Sequence, residues 1–412
     1  MTETYLVGGA VRDELMGVPC NDYDYVVVGS TPEQMLNAGY TQVGSDFPVF
    51  LHPKTGDEYA LARTEFSTGN GYGDFEVAFG PNVTLLDDLW RRDLTINAMA
   101  KCDMGVITYD PFHGQNDIEN RVLRHVSDAF KDDPVRILRV ARFAARFGFG
   151  WKVAKETEHM MTKMVKDGML DSLTPERVWK ELEKALMGVE PRKFFDVLDS
   201  VGALEVVFPV IHKMKTVLEH VKYHPEGNTY EHTMLVLEQA RLLTDDPAVM
   251  FAALTHDFGK TLTDPAEYPH HHGHENTGVG LVEEFSDQFK VPAHFKRTAK
   301  VVCKNHMKMK HLDQMSARSV VKTFVTMKAK AVPSLVDDLV TVAKADARGK
   351  LGFHDTDVSG MNRLKEWFEV YDGVKFMVEV RKAGLKEQPK GEAASNFLRQ
   401  AQVITLKQHM KG

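Results

Sequence analysis

Cysteine is nearly absent from this chain: Cys20, Cys102 and Cys303 lie far apart and never form a CxxC pair. So sparse and odd a set excludes a disulfide framework and a cysteine zinc site, and it fits reducing cytoplasm. No apolar run approaches the roughly 18 residues that a membrane span needs. The start, MTETYLVGGAVRDEL, has an acid before a short apolar stretch and no basic segment, so it does not read as a signal peptide. Positive charge is also lacking, with 51 basic against 58 acidic residues and a net charge of −7. A protein coated for nucleic acid would be basic, so any such contact must use a local strip. Internal repeats, heptads and low-complexity blocks are missing too.

What is present is an ordinary globular composition, 43% apolar and 26% charged, over 412 residues. That length implies two to four domains, at roughly 100–200 residues each. Residues 1–130 read as mixed α/β. Strands are predicted at YDYVVVG (23–29), PVFLH (48–52), EYALART (58–64) and FEVAFG (75–80). STGNGYGD (67–74) reads as a mobile glycine-rich loop, and LWRRDLTINAMA (89–100) as a helix. From about 131 the pattern is helical. TPERVWKELEKALMG (174–188), for example, has a threonine cap, an early proline and a closing glycine. The polar stretch KEQPKGEAAS makes 380–412 read as loosely packed. Only four of 18 histidines precede residue 200, and a dense group lies between 212 and 311.

The first chemical constellation is GGAVRD followed by NDYDY. Asp22 and Asp24, at i and i+2 entering a strand, point the same way. Paired carboxylates suit Mg²⁺, which takes one or two of them plus substrate phosphates. The Gly8-Gly9 turn lets backbone N–H groups approach a phosphate, and Arg12 adds charge. Glu58 is the candidate third carboxylate. Further on, Asp93 and Asn97 share a helical face in RRDLTINA (91–98), and DDPVR (132–136) combines acids with an arginine. Arg136, Arg139, Arg142 and Arg146 recur on one helical face, a basic strip on an acidic chain.

The second half holds His232, then His256-Asp257, then PHHHGHE (269–275) with His274, then His306 and Asp346. Histidine and aspartate are suitable first-row metal ligands. Drawn from separate segments, they converge only in a folded bundle.

These motifs carry a resemblance. GGAVRD with D-x-D resembles the head of the nucleotidyltransferase superfamily that includes DNA polymerase β. More closely, it resembles the class II tRNA nucleotidyltransferases (CCA-adding enzymes) of bacteria and their poly(A) polymerase relatives. RRDLTINA matches that family's R-R-D-x-x-x-N-A element, and RILRVARF (136–143) its R-x-L-R-x-x-R-F. DPFHGQNDIENRVLR (110–124) resembles its connector between head and neck. The ordered set His232, His256, Asp257 and Asp346 resembles the HD phosphohydrolase superfamily, and His274 and His306 match a second-metal position of its two-metal members.

The resemblance implies an α+β polymerase-β-like head over 1–130, an all-α neck over 131–225, an all-α HD domain over 226–350 and a helical tail over 351–412. It implies CCA addition to the tRNA 3′ end from CTP and ATP. Asp22 and Asp24 would hold Mg²⁺. Gly9, Arg12, Arg92, Asp93, Asp133, Arg136, Arg139 and Arg142 would bind the nucleotide. In the family an E-D-x-x-R motif chooses the base without a template, a role that falls on Asp133 and Arg136. The chemistry fits. Cytosine and adenine each offer an amino donor beside a ring-nitrogen acceptor, which a carboxylate and a guanidinium complement. Uracil and guanine have the opposite polarity there. Asp132 stands where the family has Glu, which bears on accuracy at the C-to-A change. The HD part would use a transition metal such as Ni²⁺ as phosphatase, 2′-nucleotidase and 2′,3′-cyclic phosphodiesterase. Competing expectations are a poly(A) polymerase, a tRNA-binding HD phosphohydrolase with an inactive head, and a nucleotide-sensing regulator. No membrane partner is expected, and monomer or homodimer stays open.

Overall fold

The computed structural model describes residues 2–20, 22–43, 49–67, 75–102, 108–385 and 387–411. Most of the loop expected at 67–74 lies outside them. The chain forms two compact units, Met1–Val207 and Phe208–Gly412.

The first unit opens with β1 (Glu3–Val7), α1 (Gly9–Leu15), β2 (Asp24–Val28), α2 (Pro32–Asn37), β3 (Thr41–Val43), β4 (Val49–Leu51) and β5 (Glu58–Leu61). Then come β6 (Arg63–Ser67), β7 (Phe75–Phe79), α3 (Leu85–Trp90), β8 (Ala100–Cys102), β9 (Thr108–Tyr109) and α4 (Gly114–Glu119). Seven strands make one sheet in the order β3-β4-β5-β2-β1-β8-β9, and β6 and β7 pair separately. The β-branched strand β2 is central because both its faces are covered. Val26 packs with Tyr5, Val7 and Leu89 of α3 on one side. Val27 packs with Phe50, Leu61 and Met35 of α2 on the other. Burying a side chain such as Phe50 contributes about 1.5–3 kcal/mol.

Register then positions chemistry. Asp24 opposes Val7, the residue before the Gly8-Gly9 turn, across an antiparallel pair. It opposes Glu58 across a parallel one. Only Asp24 of the D-x-D pair lies within the strand.

The single helix expected over 89–100 is not formed. α3 stops at Trp90, a 3₁₀ turn follows at Thr95–Asn97, and Ala100–Cys102 joins the sheet against β1. Leu94 is extended and bridges to His125. Tertiary pairing overrides the local apolar spacing.

Helices complete the unit: α5 (Val135–Phe147), α6 (Lys155–Lys166), α7 (Pro175–Leu186), α8 (Arg192–Ser200) and α9 (Ala203–Val207). α5 packs on α7 and α8. Ile137, Ala141, Leu182, Phe194 and Phe195 are fully buried.

The second unit is helical: α10 (Pro209–Lys213), α11 (Thr229–Arg241), α12 (Pro247–Thr255), α13 (His274–Gln288), α14 (Ala293–Lys310), α15 (Ala317–Thr326), α16 (Ser334–Arg348), α17 (Arg363–Gly373), α18 (Phe376–Lys382) and α19 (Gly391–His409). α12 is apolar all round, PAVMFAALT, and packs on α11, α14 and α16. A helix apolar on every side belongs in the middle of a bundle, so His256-Asp257 at its end is delivered to the centre. None of the described helices is long and apolar enough to cross a membrane.

The end of the chain is better packed than its polar stretch suggests. α19 lies against α15 and α17. Leu406 is fully buried, with Val403 and Met410 beside it, and Gln402 donates to the Tyr371 carbonyl. Spacing of three and four residues puts these on one face.

Two substitutions test the packing of the second unit. Gly259 follows Asp257 under α13, where an added Cβ would strike the His274 carbonyl and lie 2.7 Å from the Gly278 nitrogen. Gly259→Ala should lower the thermal midpoint, since overpacking costs about 1–3 kcal/mol and backbone cannot step aside. In α16, burial, then Asp246 and Asp337, push the Asp338 carboxyl up from 3.8 to about 7. The folded state thus prefers the protonated acid. Its contribution is full below pH 3.8 and is lost as pH rises through about 7. Asp338→Asn should therefore melt higher than the parent at pH 8, with the gap closing at pH 4, as followed by circular dichroism.

Candidate active site and candidate metal centre

In the first unit one cavity of about 1030 Å³ gathers Gly8, Gly9, Arg12, Asp22, Asp24, Arg92, Asp93, Asp133, Arg136, Arg139 and Arg142. Eleven arginine or lysine side chains and six carboxylates line it. Asp22 and Asp24 thus share a cavity with the glycine turn. Burial, then Asp22, pushes the Asp24 carboxyl up, and Glu58 adds to this while Arg92 opposes it. Carboxylates gathered beside Asp24 form a hard-oxygen donor set suited to Mg²⁺. They are not, however, drawn within 4.8 Å of one another as the histidine sets below are.

Gly8 has φ +70, and a Cβ there would lie 2.8 Å from Nη1 of Arg92. Glycine is needed for both reasons. Arg92 is held from behind by buried Asp88, at 3.0 Å.

A chain of buried polar contacts then links α1 to α5. Arg12 donates to Asp13 at 2.8 Å and to Asn97 at 2.5 Å. Asn97 donates to Asp93 at 3.0 Å, and Arg139 to Asp93 at 2.8 Å. Arg146 returns to Asp13 at 2.9 Å. Burial alone would raise the Asp93 carboxyl, but Arg139 and Asn97 hold it well below the usual range.

The arginines of α5 are therefore not a free basic face, because Asp93, Glu181 and Asp13 from other segments answer them. Arg142 pairs with Glu181 at 2.5 Å and lies over Phe143. Arg139 and Arg146 are the most open to solvent of these ion-paired arginines, with 36% and 40% of the side chain exposed.

Asp133 and Arg136 do not lie together on one helix. Asp133 is extended and precedes α5. Its carboxylate is gripped by Arg177 at 3.0 and 2.6 Å. Arg136 donates to the carbonyls of Ala129 and Arg91, at 2.6 and 2.7 Å. The proline at 134 favours an extended residue before it, which accounts for the break.

Sequence reasoning did not single out the face of α7 that lines the cavity with Arg177, Lys180, Glu181 and Lys184. Their helical spacing was the available signal.

In the second unit six predicted ligands converge. His232 comes from α11, His256 and Asp257 from the end of α12, His274 from α13, His306 from α14 and Asp346 from α16. All are buried. Ligand atoms meet within 4.8 Å in two sets, His232/His256/Asp346 and Asp257/His274/His306. Asp257 faces both: Oδ2 is 3.2 Å from His256 Nε2, and Oδ1 is 3.2 and 3.3 Å from His274 and His306.

The Nδ1 atoms of His232, His256, His274 and His306 meet the carbonyls of Gly349, Ala253, His271 and Cys303 at 2.6 to 3.0 Å. A carbonyl only accepts, so Nδ1 carries the hydrogen and the Nε2 lone pair points inward. His274 and His306 then oppose lone pairs at 3.2 Å. Nε2 of His232 and of His256, Oδ1 of Asp257 and Oδ1 of Asp346 are buried without a hydrogen-bond partner. Such acceptors, all aimed inward, fit divalent cations.

Of the PHHHGHE histidines only His274 joins the centre. His270 and His272 are exposed, and His271 bonds to the Leu218 carbonyl at 2.9 Å. The supporting residues were not legible in advance. Glu226 accepts from His232 at 3.0 Å. Lys260, fully enclosed, pairs with Asp257 at 2.7 Å and Glu219 at 2.6 Å. Lys310 reaches Asp346 at 3.3 Å.

Three family models match successive parts of the chain. Residues 4–124 match the poly A polymerase head domain. Residues 150–215 match the model described as "Probable RNA and SrmB- binding site of polymerase A". Residues 229–348 match the HD domain. Among solved structures, the Bacillus stearothermophilus CCA-adding enzyme in complex with CTP is 19% identical with TM-score 0.68, covering 99% of this chain and 89% of that one. A CCA-adding enzyme with ATP is 20% identical with TM-score 0.65, over 98% and 86%. The Thermotoga maritima CCA-adding enzyme complexed with tRNA-CCA is 20% identical with TM-score 0.62, over 99% and 88%. At such identity the likeness is one of fold. The chain thus unites a poly A polymerase head, its RNA-binding segment and an HD domain in the fold of the CCA-adding enzymes, as in a class II CCA-adding enzyme that carries an HD domain.

Proposed function

We propose that this chain adds C, C and A to the 3′ end of tRNA from CTP and ATP without a template, and that its HD domain is a separate metal-dependent phosphohydrolase. The observation that carries the first part is the shared cavity of the Asp22/Asp24 pair, the glycine turn and the arginines. Solved proteins of this fold have been obtained with CTP, ATP and tRNA. In this reading the chain divides into a head (1–130), a neck (131–225), an HD domain (226–350) and a tail (351–412).

Asp22 and Asp24, with Glu58 alongside, would hold Mg²⁺. Bound there, such ions lower the pKa of an attacking 3′-hydroxyl and stabilise a departing pyrophosphate. The backbone at Gly8-Gly9 lets the triphosphate approach closely. Arg92, braced by Asp88, and Arg12, Arg139 and Arg142 supply positive charge around it. Asp93 holds Arg139 in place, and Asn97 holds Arg12. Asp133 would accept from the amino group of cytosine or adenine, oriented by Arg177. Arg136 would donate to the ring nitrogen on exchanging a backbone carbonyl for the base.

In the HD domain the same donor logic supports a two-metal set with Asp257 between. Metals held there supply an activated water for attack on a phosphate ester. Lys260 fixes Asp257, and Glu226 fixes His232. The match of residues 4–124 to a poly A polymerase head domain favours one second reading, a poly(A) polymerase.

Incubation with tRNA lacking CCA, followed by 3′-end sequencing, separates the two. A single CCA is expected with CTP and ATP, whereas long runs of A would favour the second reading. Asp24→Ala should remove incorporation while leaving hydrolysis of a phosphate ester intact. Asp257→Ala should do the reverse. Asp133→Asn should improve UTP use relative to CTP by about tenfold, since one mispaired buried contact costs roughly 1–3 kcal/mol. Unchanged preference would count against base reading by this side chain. Adding Ni²⁺ or Mn²⁺ at about a hundred times its Kd should stabilise the second unit by about 2.7 kcal/mol. That gain should be absent in Asp257→Ala and should fade as the solution is acidified, because protons compete with the metal for Nε2.

A further inference from the structure

A second cleft, of about 530 Å³, lies in the helical unit and is not used by either activity above. Lys304 and Lys308 line it from α14 and His311 from just beyond that helix, and Ser316 and Ser319 line it too. Spacing of four residues puts the two lysines on one face of α14. His306 and Lys310, which serve the metal centre, lie on another.

The two lysines donate to neutral side chains. Lys304 donates to Asn276. Lys308 donates to Asn305 at 2.7 Å and to Thr323 at 3.1 Å. Lys308 is partly buried, one helical turn from Lys304 on the same face. One acid, Glu275, lines the cleft. A partly buried ammonium among other cations is costly unless an anion joins it. Hydroxyls able to donate complete a set suited to tetrahedral oxyanions.

We propose that this cleft binds phosphoryl oxygens, with Lys304 and Lys308 as the charged contacts and Ser316 and Ser319 as hydroxyl donors. The source is either a small phosphate compound or the backbone of an RNA strand, and the chemistry of recognition is the same.

Residue-resolved acylation of lysines in the full-length chain, read by mass spectrometry at constant ionic strength, tests this. The probes are millimolar inorganic phosphate in one arm and a tRNA transcript in the other. A several-fold loss of labelling at Lys304 and Lys308, with exposed Lys407 unchanged, is expected in at least one arm. Loss with phosphate identifies a small-anion site, and loss with tRNA alone identifies an RNA contact. Unchanged labelling in both arms, or an equal fall at Lys407, overturns the proposal. Lys308→Met keeps the aliphatic stem, so Lys304 should lose its protection in that variant. Full protection of Lys304 in a folded Lys308→Met protein would also overturn it.

Discussion

A charge taken out of water must be met inside the protein, and both sites of this chain are built around that demand. Moving an ion into a low-dielectric interior costs several kcal/mol even after relaxation. In the first unit protein groups answer the demand. Arg12 is 3% exposed and Asp93 6%, and each is satisfied through Asn97, Asp13 and Arg139. In the second unit it is answered only in part. Lys260 and Lys310 approach two of the carboxylates, yet several inward acceptors stay without a hydrogen.

That difference separates two kinds of cavity. The closed circuit around Asp93 makes the arginine wall rigid, because no member can turn without stranding another. It leaves Arg139 and Arg146 as the more solvent-open of its arginines. The histidine centre is the reverse, with backbone carbonyls setting each ring and the Nε2 lone pairs left converging. One is a wall of arginines answered by protein carboxylates, the other a convergence of buried acceptors.

Much of this was legible in the sequence, for reasons that can be named. β-branched runs such as YVVV make strands wherever both faces are buried, and helical periodicity marks α5 and α7. Chemistry carried by short motifs was also readable: glycines beside acids at the head, and His-Asp at the end of an apolar helix. What escaped was contact between segments remote in sequence. Arg177 meets Asp133 across 44 positions, and Lys260 meets Glu219 across 41. No local spacing announces such a pair. The break in the helix expected over 89–100 has the same origin, since Ala100–Cys102 is a strand only because β1 is there to receive it.

The amino-acid sequence by itself determined the order of parts, the residue types available to each site and the spacing of the four arginines from Arg136 to Arg146. Those follow from composition and short-range periodicity, which depend on neighbours a few positions apart. Only the tertiary structure decided which arginines stay open to solvent, which carboxylates they answer, and that Asp257 faces two sets of ligands at once. Those outcomes turn on distances of about three ångströms between side chains brought together by packing, and a charge chooses its partner only after burial has removed water as the alternative.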